Sequence, residues 1–496
     1  MSKSNSFVKN FKNINKFINN LLEENLNKLK FKNLINLLRN NKIVLTFVAV
    51  LILFISYLLL PALYKQDQIS KKIKLDLVKK LNLNFNFTKK FNYNFFPRPH
   101  FTIKDSVILF NDQEISKVKN LIIYISIDNL FSINKININD LLIENANFNL
   151  NHKNYNFFHD LLKNNFLDDE LKIKNSNIFF MDSKKDVLFI NKIENMKYYY
   201  DNKELKNTLI SKNELFNFPY EIKVYDDIGE KKLTSIVNLN YFKLKIENEF
   251  YYKNNIKEGK AYIVNNKSKS KIFYKTNSKF FNFTYKDRTE NSNYSYVGKI
   301  NVNPFYASLV GETQNINLSY LFDINSLVPQ ILKTGILNNE NIDFEMNIKA
   351  KNVFNNINLT NLNLNSKIKG GLVDIDQTKY QWKDYADFKL IDSLIFVKDG
   401  QLILDSKLEI NINDINEIYK YLLTPKNLRK KINKIILNFS HNFDQNVITL
   451  RDIRLDKKYN QDINKIISLI ILKDNKLQNK IYLKNLLNEA LKYYSG

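Results

Sequence analysis

The stretch "LNLNFNF", Leu81–Phe87, alternates apolar and polar residues with a period of two. Successive side chains of a β-strand point to opposite faces of its sheet, so this spacing predicts a strand with one apolar face and one wet face. The predicted apolar face comprises Leu81, Leu83, Phe85 and Phe87, and asparagines occupy the other face. An apolar face of this kind decides the fold, because it must be buried against another layer.

The same alternation returns along most of the chain after residue 80. The stretch "IDFEMNIKA" places Ile342, Phe344, Met346 and Ile348 on one face, and shorter runs recur at 146–150, 244–250, 357–364 and 408–412. One-sided strands are typical of antiparallel sheets, whereas the strands of parallel α/β cores are apolar on both faces. At one strand and turn per about twelve residues, residues 80–410 would hold about 25 to 30 strands, too many for one flat sheet. We therefore predict a mainly β chain whose elongated, mostly antiparallel sheet curves into a groove or tube.

Helical spacing is rare between these strands. The stretch "NYNFFHDLL", 154–162, predicts one short helix, and "NDINEIYKYLLTPKNLRKKINK", 413–434, predicts two helices separated at Pro425. Proline suits the start of a helix and disfavours helical geometry in the residue before it. Apolar residues at helical spacing after residue 465 predict that the chain ends in helices.

Residues 43–63 form an uncharged and strongly apolar segment. A helix of that length spans roughly 31 Å, the thickness of the hydrocarbon core of a bilayer. A cleaved signal peptide would have a shorter apolar region, a shorter leader and a small-x-small cleavage site. We therefore predict a transmembrane helix, with the membrane bilayer as its partner. Lysines are frequent on both sides of the segment, so the positive-inside rule does not decide its orientation in the membrane.

Residues 1–42 precede that segment and carry apolar residues at helical spacing with lysines among them. This pattern predicts a basic amphipathic helix that lies on an anionic leaflet. A short cytoplasmic helix without a partner fits the same residues.

The chain of 496 residues has a formal net charge of +25, which raises nucleic acid or an anionic membrane surface as partners. Only six of the 75 basic residues are arginine, and the lysines are spread along the whole chain. Proteins that read nucleic acid rely on arginine for bidentate contacts, so we expect no nucleic-acid partner.

The absence of cysteine excludes disulfides, thiolate chemistry and cysteine-bound zinc. Because the chain has only nine glycines, asparagine must supply many of the tight turns.

Residue patterns for catalysis and metal binding are weak. The four histidines show no HExxH motif, and His152 and His159 lack a third ligand, so surface positions fit them better than a metal site. The acidic run Asp168, Asp169 and Glu170 has no nearby glycine for the sharp turn of a cation loop. Phosphate-binding glycine motifs and GxSxG are absent. We expect no catalytic residues, no metal, no cofactor and no enzymatic activity.

The order of features between residues 43 and 200 resembles the opening of the AsmA family of envelope proteins. The apolar segment is followed by "DQISKKIKLDLVKKLNLNFNF", by "FFPRPHFTIKDSVILF" and by a run of strands that closes at "NYNF", 154–157. Phe96, Pro97 and Pro99 match a Phe-Pro-x-Pro clasp of that family, and Leu130 matches a leucine of its crossover. Asparagines stand here where the family usually has a glycine before the clasp.

The resemblance implies an inner-membrane anchor, with the N-terminus in the cytoplasm and the bulk of the chain in the periplasm. It also implies a groove that transports phospholipid between envelope membranes and supports outer membrane biogenesis, with other envelope proteins as possible partners. The residues expected to line the groove are Leu81, Leu83, Phe85, Phe87, Ile342, Phe344, Met346 and Ile348. The same apolar rows also fit the sealed core of a structural or scaffolding envelope protein that carries no lipid, and the sequence leaves both readings open.

These observations divide the chain into five segments. Residues 1–42 are the cytoplasmic basic helix, 43–63 the transmembrane helix, 64–200 the AsmA-like N-terminal β region, 201–414 the continuing β groove, and 415–496 a mixed C-terminal region with helices.

Overall fold

The computed structural model describes residues 42–494 except for 165, 168, 253–256, 266–268, 278, 290–291, 303–304, 319–322, 336–338, 354–355, 371, 469–470 and 474–479. The predicted amphipathic helix lies outside the described residues apart from Lys42, and so does Asp168 of the acidic run.

Helices are few, and the longest one coincides with the apolar segment near the N-terminus. The helices are α1 Lys42–Leu59, α2 Gln66–Leu81, α3 Phe157–Leu162, α4 Leu327–Lys333, α5 Ile415–Tyr421, α6 Gln461–Ser468 and α7 Lys480–Tyr493. A 3-10 turn, Leu60–Leu63, continues α1, because Pro61 lacks the N–H that the α-helical ladder needs. Among the described residues, one segment, Leu45–Leu63, is long and apolar enough to cross a membrane. The prediction of a membrane-spanning segment is supported to that extent.

Strands make up most of the rest of the chain. They are β1 Asn84–Phe87, β2 Asn92–Asn94, β3 His100–Phe110, β4 Gln113–Ile125, β5 Ile138–Leu150, β6 Glu170–Met181, β7 Val187–Asp201, β8 Lys206–Leu215, β9 Phe218–Asp227, β10 Lys232–Leu239, β11 Leu244–Tyr251, β12 Lys257–Val264, β13 Lys269–Thr276, β14 Phe280–Thr289, β15 Ser292–Val302, β16 Phe305–Ile316, β17 Asp343–Val353, β18 Asn356–Lys369, β19 Leu372–Asp374, β20 Lys379–Trp382, β21 Ala386–Lys398, β22 Gln401–Ile412, β23 Lys434–Asn442, β24 Val447–Leu455, β25 Lys458–Tyr459 and β26 Ile471–Lys473.

The mainly β fold class is confirmed, because these 26 strands form one long mixed sheet. Among the strand pairs that the structure describes, most are antiparallel, and β5 with β6 and β16 with β17 are parallel. Parallel neighbours need a connection that returns the chain to the same end of the sheet. The short helices α3 and α4 lie in those two connections.

The second helix predicted after Pro425 is wrong. Residues Lys426–Leu428 form a single 3-10 turn, and β23 begins at Lys434. There Ile435 pairs with Ile410 of β22, and Leu437 pairs with Leu408. The residues before this strand are held in extended form by contacts elsewhere in the chain: the backbone of Lys430 bonds to the hydroxyl of Tyr419, and the carbonyl of Asn433 accepts a hydrogen bond of 2.8 Å from the N–H of Ile412. These tertiary hydrogen bonds override the weak helical preference of the local sequence. The predicted helical C-terminus is confirmed by α6 and α7.

Turns and bulges rely on asparagine and aspartate, as the shortage of glycine requires. More than half of the non-glycine residues with positive φ are Asn or Asp. Asn145 and Asn175, in the parallel strands β5 and β6, both have positive φ, and the paired register skips both residues. The hydroxyl of Ser176 accepts a hydrogen bond of 3.0 Å from the backbone N–H of Ala146 within this interruption of the ladder. The register is the same before and after it, because both strands skip two residues.

The chain divides into two compact units. Unit 1 comprises Met1–Lys72, Phe91–Phe101 and Tyr124–Asn137, and unit 2 comprises Ile73–Lys90, Thr102–Ile123 and Ile138–Gly496. In unit 1 the side-chain amide of Gln66 pairs with the backbone of Phe91 through two hydrogen bonds of 3.0 and 2.8 Å. The ring of Phe91 meets the ring of Phe101 edge-on, with 6.2 Å between the ring centroids. Unit 2 contains nearly the whole sheet and the candidate site.

Candidate functional site

A single apolar row crosses fourteen strands of unit 2, from β5 to β18. Its members are paired neighbours in the strand register, so they share one face of the sheet. The row consists of Leu141, Leu171, Tyr198, Leu209, Val224, Ser235, Asn248, Ala261, Ile272, Tyr285, Tyr296, Gly311, Ile348 and Leu364. Ser235 and Asn248 are its only hydrogen-bonding side chains besides the tyrosines.

Burial of this row changes along the sheet. Leu171 and Tyr198 are fully buried at its start, and Ile348 and Leu364 are buried again at its end. Between them, the row members of β11 to β15 are only half-buried. We call β5–β8 the covered region and β11–β15 the open region.

Helix α3 covers the first of these regions. Its residues Phe157, Leu161 and Leu162 are buried against the sheet. The ring of Phe148 lies 5.9 Å from that of Phe157 and 5.2 Å from that of Phe158, measured between centroids. Aromatic rings at these separations attract one another beyond the effect of burial alone. The part of the covered region that lies beneath α3 is therefore a closed hydrophobic core.

Two adjoining cavities begin where this cover ends. The first, of about 450 Å³, is lined by Phe158 and Leu162 of α3 and by strand residues such as Phe180, Phe189, Leu215 and Ile222. The second, of about 610 Å³, lies over the open region and is lined by residues such as Val237, Ile246, Phe250, Ile263, Ile272 and Phe281. His159, Leu233 and Ser235 line both cavities. We call the two cavities together the apolar trough; each lies in the volume range of small-molecule sites.

Glycines keep the floor of the trough low. Gly259 pairs with Tyr274, and Gly298 pairs with Phe283, on neighbouring strands. A Cβ atom on Gly259 would lie 2.2 Å from Cζ of Tyr274, and one on Gly298 would lie 1.9 Å from Cε1 of Phe283. Each ring therefore lies down across the neighbouring backbone, in the space that a side chain would otherwise fill. A ring that lies flat leaves the volume above the sheet free.

Polar side chains in the trough satisfy one another. The hydroxyl of Tyr274 donates a hydrogen bond of 2.6 Å to Oδ1 of Asn248, and Nδ2 of Asn248 donates one of 3.2 Å to the hydroxyl of Ser235. The hydroxyl of Tyr220 donates a hydrogen bond of 2.8 Å to Oδ1 of Asn191. Burial raises the pKa of Tyr274 to about 12, so its hydroxyl stays protonated and able to donate. Paired in this way, these groups are compatible with an apolar occupant.

Several ionisable side chains lie at the border between the two cavities. The hydroxyl of Tyr252 donates a hydrogen bond of 2.6 Å to Oδ1 of the buried Asp226. Nε2 of His159 lies 3.9 Å from Oδ2 of Asp226, too far for a hydrogen bond. Neither of those two atoms has a hydrogen-bond partner among the described residues. Lys257 lines the second cavity, with Nζ 5.8 Å from the ring centroids of Tyr155 and Phe250.

Burial shifts the pKa values of this cluster away from the charged forms. It lowers the pKa of His159 to about 4, with the charge of Lys163 acting in the same direction. It raises the pKa of Asp226 above its ordinary value. It also lowers the pKa of Lys257, again with help from Lys163. Desolvation dominates in all three, as expected beside an apolar cavity.

The predicted groove residues fall into two groups. Leu81, Leu83 and Phe85 are buried near the start of unit 2, as are Ile342 and Ile348 farther along the chain. Phe87, Phe344 and Met346 are half-buried. None of the eight lines either cavity of the trough. The residues that do line it lie in strands with the same alternation, such as Leu244–Tyr251, and nothing in that pattern distinguishes them from core residues.

The clasp lies in unit 1, between β2 and β3. Phe96 and Pro97 are exposed, and Pro99 is buried. The peptide bond between Phe96 and Pro97 is cis.

Possible metal ligands are dispersed. Among the described residues, no group of three or more His, Asp or Glu side chains converges on one point. Asp169 forms an ion pair of 3.1 Å with Lys80, and Glu170 pairs with Lys172 and Lys197. His159 is not a plain surface residue as predicted from the sequence, since its side chain is largely enclosed at the border of the trough.

No protein-family model matches the chain, and no curated protein does so either.

Proposed function

We propose that this protein is a membrane-anchored lipid carrier that holds the acyl chains of a phospholipid in the apolar trough. In this proposal α1 anchors the chain in the inner membrane of a cell envelope, and the sheet lies in the periplasm. The protein moves phospholipid between envelope membranes and so supports outer membrane biogenesis, without making or breaking covalent bonds. The order of anchor, clasp and strands, which resembles the AsmA family, supports this placement.

The observation that carries the proposal is the half-buried part of the apolar row. Apolar residues on a sheet are normally covered, as they are in the covered region. In the open region the aliphatic and aromatic side chains line a cavity instead, and their few polar groups are already paired. Such a surface suits an apolar ligand better than water.

The energy of desolvation explains why a lipid would use this surface. A phospholipid has about thirty methylenes, and at about 0.8 kcal/mol each their exposure to water costs on the order of 20–25 kcal/mol. A protein surface that covers part of each chain lowers that cost. The ammonium group of Lys257, at the edge of the second cavity, lies where it could meet the phosphate of a headgroup.

Two neighbouring residues on β13 test the proposal. Ile272 lines the second cavity, and Phe273 points to the opposite face, where its side chain is 54% exposed. Full-length Ile272→Asp protein, purified in detergent and extracted for lipid mass spectrometry, should lose most of the phospholipid that the wild-type protein retains. Phe273→Asp places the same charge one residue away and should retain it.

Three results would contradict this function. They are a wild-type protein that holds no phospholipid, an equal loss of phospholipid from both variants, and retention of phospholipid by both variants. Absence of lipid from a correctly folded wild-type protein would favour a structural or scaffolding role in the envelope.

A further inference from the structure

Tyrosine side chains hold two segments of unit 1 against the end of α1. The hydroxyl of Tyr57 donates a hydrogen bond of 2.5 Å to the carbonyl of Ile127 and accepts one of 3.0 Å from the N–H of Leu130. The hydroxyl of Tyr64 donates to the carbonyl of Leu130. The hydroxyl of Tyr93, in β2, donates to the carbonyl of Leu58. Residues 126–132 and the strand before the clasp are therefore fixed beside the last turns of this helix.

These contacts set the depth of the two segments. Tyr57 lies six residues before Leu63, the last residue of the membrane-spanning segment. At about 1.5 Å per residue, the contacts of Tyr57 lie about 9 Å inside that end. The headgroup regions occupy roughly 5–8 Å on each side of a hydrocarbon core of about 30 Å. The hydroxyl of Tyr64, one residue beyond that end, contacts the same Leu130. Residues 126–132 therefore lie between these two levels when α1 spans a bilayer, beside the end of its apolar segment, where acyl chains meet headgroups.

The side chains at this level are apolar and exposed. Phe131 is 80% exposed and lies against Tyr57, with 4.8 Å between the ring centroids. Phe96 of the clasp is 79% exposed, and Phe95 and Ile127 are exposed as well. Two short turns thus expose four large apolar side chains, and their contact with water is unfavourable. Aromatic residues are enriched at the interface of a bilayer, where they face headgroups and acyl chains together.

We propose that the clasp turn, Phe95–Pro97, and the loop Ser126–Ser132 insert into the membrane interface beside α1. They form a second attachment of unit 1 to the bilayer, in addition to the helix. The partner is the lipid surface itself, because both segments are hydrogen-bonded to a helix that crosses it. This inference depends on α1 spanning the bilayer and does not depend on lipid carriage by the trough.

The absence of cysteine from the natural chain makes a depth measurement direct. Phe96→Cys and Phe131→Cys proteins of full length are each labelled with a nitroxide and reconstituted in phosphatidylcholine and phosphatidylglycerol liposomes. Frequent collisions of the label with oxygen indicate that it lies among acyl chains, and frequent collisions with a water-soluble nickel complex indicate that it lies in water. Phe54→Cys, within the membrane-spanning segment, is the reference for lipid. Leu205→Cys, a 70% exposed leucine of unit 2, is the reference for water.

Labels at positions 96 and 131 should collide with nickel several-fold less often than the label at 205, and with oxygen more often. Nickel accessibility at 96 and 131 equal to that at 205, with the label at 54 in lipid, would overturn the proposal. A label at 54 that is also in water would overturn it, because α1 would then not span the bilayer.

If a cysteine variant fails to fold, Tyr57→Phe with the label at Ile127→Cys provides a second measurement. Loss of the Tyr57 hydroxyl should then make the label shallower, and an unchanged, water-exposed label would again contradict insertion.

Discussion

The covered region and the open region have the same alternating sequence pattern, but their apolar residues are buried to different extents. In β6, "ELKIKNSNIFFM" buries Leu171 and Ile173 completely. In β13, "KSKIFYKT" alternates in the same way, yet its inward residues, Ile272 and Tyr274, remain half-buried. The difference is that α3 packs over the first region, whereas the second faces a cavity. An alternating strand therefore predicts that an apolar face exists but does not reveal whether that face is core or binding surface.

Ion pairs on the solvent-exposed face of the open region help its strands keep their register without a covering layer. Glu249 forms ion pairs with Lys260 at 2.9 Å and with Lys232 at 3.7 Å on the adjacent strands. Glu247 pairs with Lys269 at 3.2 Å. Each exposed pair contributes at most about 1 kcal/mol. A shift of register by one residue would bring these charges onto the apolar face, so the pairs favour one alignment.

The largest expected effect comes from aromatic residues in the two regions. Phe148→Ala removes a fully buried ring from the covered region and should lower the free energy of unfolding by about 3–5 kcal/mol. Phe281→Ala removes a half-buried ring from the wall of the second cavity and should cost roughly 1–2 kcal/mol, because less apolar area returns to water. Urea denaturation of the full-length protein in detergent measures both. Equal losses would remove the distinction between core and trough.

The second prediction concerns the border of the two regions, at His159. The pKa of His159 is about 4 in the folded protein and 6.5 when unperturbed, so the unfolded chain binds more protons between these values. The stability contributed by the neutral imidazole is complete above pH 6.5 and decreases as the pH falls towards 4, by on the order of 2–3 kcal/mol. His159→Asn should flatten the dependence of the unfolding free energy on pH in that window.

Asp226→Asn is the counterpart of that variant, with the opposite sign. The pKa of Asp226 is raised in the folded state, so its contribution is complete below the unperturbed value of 3.8 and is lost as the pH rises through the folded pKa. The Asn variant should therefore lose less stability than the wild-type protein as the pH rises above 3.8. A His159→Asn protein with the pH profile of the wild type would mean that the border is open to water.

The smallest expected effect comes from the floor of the trough. Gly298→Ala places a Cβ 1.9 Å from the ring of Phe283 and should destabilise the protein by about 1–3 kcal/mol, because the ring must rise from its place. The raised ring should also reduce the amount of bound lipid. Gly229→Ala is the matched control, since its Cβ would meet nothing closer than Oδ1 of Asp227 at 3.4 Å. Thermal unfolding and lipid extraction distinguish the two variants, and identical behaviour would show that the flat ring has no role.

Much of the fold could be predicted from the sequence, and less of the site. The alternating runs around Phe85 and Phe344 are strands, the apolar segment near the N-terminus is a helix, and "NYNFFHDLL" forms the short α3. The helix expected after Pro425 fails because Lys430 bonds to Tyr419 and Asn433 bonds to Ile412, which lead the chain into β23, and no local pattern records those partners. Leu83 and Phe85, expected in the groove, are buried, whereas Phe250 and Phe281 line the trough although their local sequence does not distinguish them from core residues.

The sequence by itself determined the elements with local causes: two-faced strands from a period of two, a helix long and apolar enough to cross a membrane from uninterrupted apolar residues, and asparagine turns from a shortage of glycine. Only the tertiary structure decided which part of the apolar row is covered, because the cover comes from a six-residue helix that packs on strands before and after it in the sequence, from Phe148 of β5 to Asn207 of β8. It also decided that Tyr93 and Phe131, which are far apart in the sequence, contact the same end of α1, at Leu58 and Tyr57. Burial depends on what lies above a face, and that is a property of the assembled sheet rather than of any single strand.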